Sequence, residues 1–226
     1  MNAMNIEPDS PNYDRLRDEM VEQQIAAQGV RSPLVLEALR SVRRELYVPS
    51  EVRGLAYEDG ALAIEEGQTI SQPYIVALMV EALELRGGER VLEIGTGSGY
   101  AAAVLAEIAG EVYTIERHEP LARTAQERLS RDGYDHVHVR HGDGTLGWPE
   151  EAPFEAIVVT AGGPRVPKSL REQLAVGGRL VLPVGQEAEV QRLKCVTRLG
   201  AERFEETDLG AVRFVPLIGA EGWHEG

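Results

Sequence analysis

The stretch "VLEIGTGSGY" (Val91–Tyr100) decides the predicted fold. Its apolar first half predicts a buried strand. Its glycines predict a tight turn, because glycine permits positive φ and lets a ligand approach the backbone closely. A helix is predicted directly afterwards, in "SGYAAAVLAEIAG" (98–110). A strand, a glycine turn and a helix in this order begin many α/β nucleotide-binding folds. The turn lacks Gly-Lys-Ser/Thr, which excludes a nucleoside-triphosphate P-loop.

Strands and helices alternate on the carboxyl-terminal side of this stretch. The sequence pattern predicts strands at 111–116, 136–143, 154–161 and 179–185, and helices at 119–133 and 166–178. Repeated βα units predict an α/β fold with a mostly parallel central sheet and helices on both faces. The last two predicted strands, 190–199 and 203–218, have no helix between them and predict an antiparallel pair at the sheet edge.

The amino-terminal side has a different pattern. Residues 1–12 are predicted to form a loose tail. "RLRDEMVEQQIAAQG" (15–29) has apolar residues at helical spacing and ends in a glycine. "SPLVLEALRSV" (32–42) predicts a second helix, with serine as its cap and proline at its first position. From Pro49 to Gln72 no period is sustained. This predicts a long connection, and long connections in compact domains are usually functional.

Length and composition predict one compact domain. A chain of 226 residues can bury one good core, and 43% hydrophobic with 27% charged residues is ordinary for a globular protein. We divide it into an N-terminal helical segment with the long connection, 1–75, packed on a core, 76–226, that ends with the strand pair. The formal charge of −14 argues against a nucleic-acid or anionic-membrane partner, because either would need a basic face.

The remaining bulk features predict a monomeric, cytoplasmic protein. Cys195 is the single cysteine, so it cannot form an internal disulfide, and its alternating neighbours indicate a strand residue. No apolar stretch is long enough to span a bilayer, and the polar start does not resemble a signal peptide. His136 and His138 alternate with valines and lack a third ligand at suitable spacing, so no metal site is expected.

Three acidic residues mark the kind of ligand that the glycine turn would bind. Glu116 ends the next predicted strand, about twenty residues after Gly95, the distance at which an acid reaches ribose hydroxyls. Glu93 precedes the turn, and Asp143 in "HGDG" follows the third strand, where it could receive the edge of an adenine. Lys and Arg are missing near the turn. Acids at three strand ends suit a cationic nucleoside such as S-adenosylmethionine better than the pyrophosphate of NAD.

The motifs then resemble one family of class I methyltransferases. "AYEDGALAIEEGQTISQPYIVALM", "VLEIGTGSGYAAAVLA", "RHGDG", "APFEAIVVTA", "GGRLVLPVG" and "VRFVPL" resemble the protein-L-isoaspartate O-methyltransferases in sequence and order, from about residue 13 to 218. The resemblance implies a Rossmann-like methyltransferase fold with an N-terminal helical extension that includes a substrate lip. It also implies transfer of a methyl group from S-adenosyl-L-methionine to the free carboxylate of L-isoaspartyl residues in damaged proteins and peptides, which begins their repair.

The resemblance assigns roles to individual residues. Ser71 matches the active-site serine. Asp59, Thr69 and Val215 match substrate positions, with backbone groups at Val215 pairing with the bound peptide like an added strand. The implied cofactor-binding residues are Ile70, Gln72, Pro73, Glu93, Gly95, Thr96, Gly97, Ser98, Gly99, Glu116, Arg117, Gly142, Asp143 and Gly144. A carboxylate is already ionised at neutral pH, so such a site needs alignment and desolvation rather than a strong general base.

Simpler structural roles remain open for three of these residues. Ser71 can cap the helix that starts at Pro73. Asp59 can order the long connection, and Val215 can be an ordinary edge-strand valine.

The chain also departs from the family pattern. Ala63, Glu65 and Glu66 replace the usual proline, glycine and neutral residue or histidine at the substrate lip. If the two glutamates border the peptide groove, they should disfavour acidic peptides. Two other functions stay open: a class I methyltransferase acting on a small molecule, and a methyltransferase-like domain that binds cofactor with little turnover.

Overall fold

The N-terminal region forms a helical layer. The computed structural model describes residues 12–186 and 190–224, so the predicted tail lies almost wholly outside the described residues. Helix α1 (Tyr13–Glu19) begins where the Asn12 side chain accepts a hydrogen bond from the Arg15 backbone. It continues through a π-helical turn and a short 3-10 turn to Gly29, whose φ of 112° confirms the predicted stop. Helix α2 (Pro33–Ser41) follows, capped by the Ser32 side chain as predicted.

The long connection is more regular than its sequence suggests. A 3-10 turn at Arg44–Leu46 precedes it. The connection itself contains 3-10 turns at Ser50–Leu55 and Glu65–Gly67 and a two-stranded hairpin, β1 (Leu62–Ala63) with β2 (Thr69–Ile70). Helix α3 (Pro73–Ala82) comes next. We call residues 56–72 the lip.

A seven-stranded sheet forms the centre of the molecule. Its strands are β3 (Arg90–Ile94), β4 (Glu111–Glu116), β5 (Val137–His141), β6 (Phe154–Val159), β7 (Leu174–Val184), β8 (Gln191–Arg198) and β9 (Phe204–Val212). Their spatial order is β5-β4-β3-β6-β7-β8-β9. The first five pair in parallel, whereas β7–β8 and β8–β9 are antiparallel, which confirms the predicted mostly parallel sheet with an antiparallel edge pair.

Helices cover both faces of this sheet, unevenly. One core layer joins the N-terminal helices, α3, α4 (Tyr100–Ala106) and α5 (Glu119–Arg131) to one face. The opposite core layer contains Leu170 of the short helix α6 (Lys168–Gln173), and Trp148 packs against it. No helix among the described residues has the length and apolar character that crossing a bilayer requires.

Two predicted boundaries are wrong. The helix predicted over 166–178 ends at Gln173, because Leu174 pairs with Phe154 of β6 and the chain continues as β7. The strand predicted over 203–218 ends at Val212. Beyond it the backbone of Phe214 is held by the Gln191 side chain, which donates to the Phe214 carbonyl and accepts from its N–H, instead of by a neighbouring strand.

The sheet topology places the loops after β3 and β6 side by side. Strand β3 has β4 on one side and β6 on the other, so the chain order reverses between β3 and β6. The Gly95 N–H donates to the Ile115 carbonyl at 2.8 Å, and the Thr160 N–H donates to the Ile94 carbonyl at 2.9 Å. Ligands of open α/β sheets bind in the crevice that such a reversal creates at the carboxyl ends of the strands.

Candidate active site

The glycine turn after β3 is held from one side by Thr160. Gly95 has a φ of 94°, and a Cβ at that position would lie 2.3 Å from the Thr160 hydroxyl oxygen. That hydroxyl donates to the Gly95 carbonyl at 2.8 Å. Only glycine satisfies both the backbone conformation and this close approach, so the turn and the loop after β6 form one rigid unit.

Glu116 anchors the same turn from β4. Its carboxylate accepts from the Gly97 N–H at 2.8 Å and from the His118 N–H at 3.0 Å, and the residue is only 5% exposed. The acid therefore lies at the strand end with a fixed orientation. Gly99 has a different role. Its φ of 91° directly before α4 lies in the left-handed region that favours glycine, whereas a Cβ there would make only an ordinary contact with the Ala125 side chain at 3.4 Å.

Glu93 lies beneath the turn and lines neither compartment of the cleft above it. It is fully buried, and one carboxylate oxygen accepts from the Thr114 hydroxyl at 2.6 Å, which in turn lies 2.6 Å from the Thr96 hydroxyl. The other oxygen has no partner among the described residues. Burial raises the pKa of Glu93 to about 8; the Thr114 hydrogen bond opposes this change and the Glu116 charge adds to it.

A cleft with two compartments opens above the turn. The larger compartment has a volume of about 470 Å³ and extends from the lip to the segment after β9. The smaller, of about 70 Å³, lies between β3, β4 and the C-terminal segment. Five residues line both compartments and form their common wall: Thr69, Gly95, Gly97, Thr160 and Val215. Ligands in the two compartments would therefore meet at this wall.

The larger compartment carries several hydroxyl groups, and no acid or histidine is among the described residues that line it. Thr69, Ser71, Thr96, Ser98 and Thr160 supply hydroxyl groups to its lining, and Arg213 is the one charged residue among the described residues that line it. The hydroxyls of Thr69 and Ser71 have no partner among the described residues, so with Arg213 they can donate hydrogen bonds to an anion. It offers no group that could act as a strong general base.

Ser71 does not cap helix α3. The N-cap residue is Gln72, and no side chain accepts a capping hydrogen bond there. The Ser71 hydroxyl has no partner among the described residues, although Ser71 lines the larger compartment. The capping interpretation is therefore wrong, and the hydroxyl stays available to a ligand.

The smaller compartment is mainly apolar. Ile94, Ile115, Leu217 and Ile218 line it, with Glu116 and Arg117 also in its lining. This combination suits a flat aromatic base with hydroxyl groups near an acid. Gly144 also lines this compartment, and a Cβ there would lie 2.3 Å from an Ile94 methyl carbon, which makes glycine necessary at this position.

Asp143 contacts the C-terminal segment. One of its oxygens accepts from the backbone and hydroxyl of Thr145, and the other accepts from the Ala220 N–H at 2.8 Å. Neither Asp143 nor Gly142 lines a compartment. In the structure Asp143 thus fixes the chain beyond Leu217, which forms part of the compartment wall.

Val215 and Asp59 are positioned by hydrogen bonds of their own. The Val215 carbonyl accepts from the Gly162 N–H at 2.8 Å, and the Val215 N–H has no partner among the described residues, so it can donate to a bound peptide. Asp59 accepts from the Gln72 side chain at 2.7 Å and lines neither compartment. This contact favours the interpretation that Asp59 orders the lip beside Ser71.

The lip glutamates face helix α5. A carboxylate oxygen of Glu65 lies 3.8 Å from the Arg128 guanidinium, and one of Glu66 lies 3.9 Å from the His118 ring. Neither glutamate lines the larger compartment. The structure therefore does not support the expectation that they border a peptide groove.

Twelve of the eighteen predicted site residues line the cleft. They are Thr69, Ile70, Ser71, Gln72, Gly95, Thr96, Gly97, Ser98, Glu116, Arg117, Gly144 and Val215. The other six, Asp59, Pro73, Glu93, Gly99, Gly142 and Asp143, lie outside its lining.

Comparison with known proteins gives the family. The model of the protein-L-isoaspartate(D-aspartate) O-methyltransferase family matches residues 15–222. The chain belongs to this family. Among its relatives, protein-L-isoaspartate O-methyltransferase 1 of Rhodopseudomonas palustris strain HaA2 is 59% identical, over 96% of this chain and 89% of that protein. Protein-L-isoaspartate O-methyltransferase 2 of Pelobacter propionicus is 57% identical, over 96% of each chain.

Solved structures of the isoaspartate methyltransferase family have the same fold. One protein-L-isoaspartate O-methyltransferase superposes with a TM-score of 0.83 at 30% identity, covering 91% of this chain and 67% of that one. A protein of Plasmodium falciparum, solved in complex with S-adenosyl-L-homocysteine, superposes with a TM-score of 0.77 at 26% identity, and the match covers 89% of this chain and 98% of that one.

The cleft fits the cofactor of the isoaspartate methyltransferase family. The glycine turn lets a ligand approach the backbone of Gly95 and Gly97, where a side chain at Gly95 would collide with Thr160. Glu116 is held at the strand end with acceptor capacity left for ribose hydroxyls. Apolar side chains close the smaller compartment. These are the features that an adenosine with a cationic tail requires.

Sequence reasoning missed residues that build the cleft. Thr160 follows β6 at the same sheet edge as the glycine turn, and that position could have identified it. Gln191, the first residue of β8, is 3% exposed, and its side chain fixes the backbone of Phe214. Nothing in the neighbouring sequence indicates this role.

Proposed function

We propose that this protein transfers the methyl group of S-adenosyl-L-methionine to the free carboxylate of L-isoaspartyl residues in damaged proteins and peptides. The observation that carries the proposal is the lining of the larger compartment. It joins the cofactor side of the cleft at Thr69 and Gly97, and the described residues that line it include hydroxyl donors but no acid or histidine. Such a compartment accepts a carboxylate that is already ionised and needs no base to activate it.

The cofactor occupies the cleft above the glycine turn in this proposal. Ile94, Ile115 and Ile218 enclose the adenine, and Glu116 accepts from the ribose hydroxyls. The backbone at Gly95 and Gly97 borders the amino-acid tail. S-adenosylmethionine supplies an electrophilic methyl group on a sulfonium centre, and no residue of this chain forms a covalent bond during the transfer.

The isoaspartyl carboxylate binds in the larger compartment. Ser71 and Thr69 donate hydrogen bonds that orient it toward the common wall, and the surrounding side chains exclude water from it. The Val215 N–H pairs with the backbone of the bound peptide. The resulting ester collapses to a succinimide without further help from the protein, which begins repair.

The two competing functions lack an observation of their own. The larger compartment, of about 470 Å³, could also hold a small molecule, so it is the family match over residues 15–222 that argues against a small-molecule methyltransferase. A domain without turnover was suggested only by the altered lip, and Glu65 and Glu66 lie against α5 instead of in the cleft.

Oligomeric state and location complete the proposal. We propose a monomer that works in the cytoplasm. The support is that the exposed large apolar residues are few and scattered in sequence: Leu34, Leu55, Leu146, Val176, Val190 and Leu199. The one cysteine, Cys195, is buried within the sheet, which gives no sign of an oxidising compartment.

The role of Ser71 is tested by Ser71→Ala. Losing one oriented donor typically costs about 1 to 4 kcal/mol of transition-state stabilisation, so the turnover number should fall roughly ten- to thousandfold while the melting temperature changes little. Ser32→Ala is the matched control, because Ser32 caps α2 in front of Pro33. It should cost about 1 kcal/mol of stability and leave turnover intact. An unaltered rate for Ser71→Ala would remove Ser71 from the active site.

A further inference from the structure

Arg44 is a buried cation directly behind the wall of the larger compartment. Its side chain is fully buried, and no carboxylate among the described residues pairs with it. The Nε atom donates to the Ala56 carbonyl at 2.7 Å, and one terminal nitrogen donates to the Ser71 carbonyl at 2.8 Å. The guanidinium carbon lies 4.7 Å from the centre of the Tyr100 ring. The other terminal nitrogen has no partner within the described residues.

Burying an unpaired cation destabilises the folded protein, so the position of Arg44 suggests a functional role. An ion that is removed from water without an opposite charge costs several kcal/mol even after relaxation. Two carbonyl groups and a ring face compensate only part of that cost. The partners of Arg44 are informative in this respect. Ser71 and Tyr100 both line the larger compartment, and Ala56 and Ser71 lie at the two ends of the lip.

The hydrogen bond to Ser71 also fixes the peptide group that follows it. A trans peptide is planar, with its carbonyl and its N–H on opposite edges. Because the Ser71 carbonyl points to Arg44, the Gln72 N–H must point away from Arg44. No described residue accepts a hydrogen bond from that N–H, and both Ser71 and Gln72 line the compartment. The fixed peptide therefore offers a backbone donor next to the Ser71 hydroxyl.

We propose that Arg44 is a positioning residue for methyl transfer: it clamps the two ends of the lip and sets the Ser71–Gln72 peptide in the orientation that receives the substrate carboxylate. Arg44 itself does not touch the substrate. Its charge also makes the compartment wall more favourable for an anion. The part of this inference that concerns the substrate carboxylate rests on the proposed function. The clamp itself does not, because the hydrogen bonds of Arg44 to the lip are present in the free protein.

The test compares Arg44→Lys and Arg44→Met with a matched control, Tyr47→Phe. Lysine keeps the charge but lacks the planar fork that reaches two carbonyls, and methionine keeps only the apolar stem. Tyr47 is fully buried in the same segment, and its hydroxyl donates to Asp132 at 3.1 Å, away from the lip. Its replacement thus removes a hydrogen bond nearby without affecting Ser71.

Three properties are measured for each variant: kcat and KM with an isoaspartyl peptide, the dissociation constant of S-adenosylhomocysteine, and amide hydrogen exchange over residues 56–72. We expect kcat/KM to fall at least tenfold in both Arg44 variants, because a small misplacement of reacting groups costs up to about a hundredfold. Cofactor affinity should stay within about threefold. Exchange should accelerate in the lip and not in α4. Tyr47→Phe should match the wild type in kcat/KM and in lip exchange.

Several results would overturn the proposal. They are a folded Arg44 variant with wild-type kcat/KM, a parallel loss of cofactor affinity, or failure of both Arg44 variants to fold while Tyr47→Phe folds, which would make Arg44 a stability residue only. A wild-type protein that leaves isoaspartyl peptides unmethylated would contradict the proposed function instead. Hydrogen exchange would then test the clamp independently of activity. Faster exchange of the lip in the Arg44 variants than in the wild type supports the clamp, and unchanged exchange overturns it.

Discussion

Individual side chains around the cleft act mainly through hydrogen bonds to the backbone. Glu116 holds the Gly97 N–H, Thr160 holds the Gly95 carbonyl, and Gln191 holds both polar groups of Phe214. Each contact fixes the backbone of a turn that lines the cleft. The Ser71 hydroxyl is an exception because it has no partner among the described residues. An oriented but unused donor is what alignment of a carboxylate requires.

Glu93 makes stability depend on pH. Its pKa is raised from 4.5 to about 8 by burial, so between these values the folded state holds more protons than the unfolded state. Stability must then fall as the pH rises through this window. Glu93→Gln removes the titrating group and keeps its shape. We expect the free energy of unfolding of the variant, relative to that of the wild type, to increase by about 1 kcal/mol for each pH unit between 5 and 8.

Chemical denaturation at pH 5, 6, 7 and 8 measures this difference. Glu202→Gln serves as the control, because it makes the same carboxylate-to-amide replacement at an exposed position. If the advantage of Glu93→Gln is constant from pH 5 to 8, Glu93 is ionised in the folded protein across the whole range and its assignment as a buried neutral acid is wrong.

Among the structural elements, the lip depends most on contacts that its own sequence does not reveal. Its hairpin is short, and its end at Ser71 is tied to Arg44, 27 residues earlier in the chain. Its outer turn contacts α5 through Glu65 and Glu66, and Glu66 has a φ of 57°, in the left-handed region. Gln68 and Thr69, directly after this turn, line the smaller compartment. The lip turn thus covers the cofactor side of the cleft.

This geometry predicts the effect of replacing both lip glutamates with glutamine. Of the two contacts, the one to Arg128 is an ion pair, and the one to His118 is charged only if the ring is protonated. An exposed pair contributes about 0.2 to 1 kcal/mol, so the dissociation constant of S-adenosylhomocysteine should rise by up to about fivefold as the lip loosens. The preference between Lys-flanked and Glu-flanked isoaspartyl peptides should not change. Calorimetry and initial rates at low salt measure the two quantities.

The matched control is Glu150→Gln with Glu172→Gln, which removes two exposed ion pairs elsewhere, to Arg140 and Lys168. This control should leave cofactor affinity at the wild-type value. A narrower difference between Lys-flanked and Glu-flanked peptides in the lip variant would place Glu65 and Glu66 at the peptide groove after all.

Periodicity in the sequence was sufficient for most elements but not for their ends. The alternation after Val91 correctly predicted the parallel sheet and the antiparallel edge pair, because both depend on local patterns. The end of α6 was predicted wrongly because an apolar residue such as Leu174 is compatible with both a helix and a strand. Only its pairing with Phe154 shows that the chain continues as a strand. The contacts of Arg44 and Gln191 join distant parts of the chain, so no local pattern indicates them.

In the whole molecule, the fold brings together a cofactor side and a substrate side that come from different regions of the chain. The glycine turn and Glu116 belong to the parallel half of the sheet. The lip precedes the first strand of this sheet in the chain, and the other segment of the substrate side follows its last strand, β9. The molecule carries a net charge of −14, yet the described residues that line the larger compartment include no acid. An anionic group therefore enters the larger compartment without meeting a like charge among the described residues that line it.

The central claim is that this cleft methylates the carboxylate of isoaspartyl residues. The most direct test follows methyl transfer from labelled S-adenosyl-L-methionine to an isoaspartyl peptide and to its aspartyl twin of the same sequence. The account predicts incorporation into the isoaspartyl peptide and none above background into the twin. Equal incorporation into both peptides, or none into either while S-adenosylhomocysteine binds tightly, would contradict it.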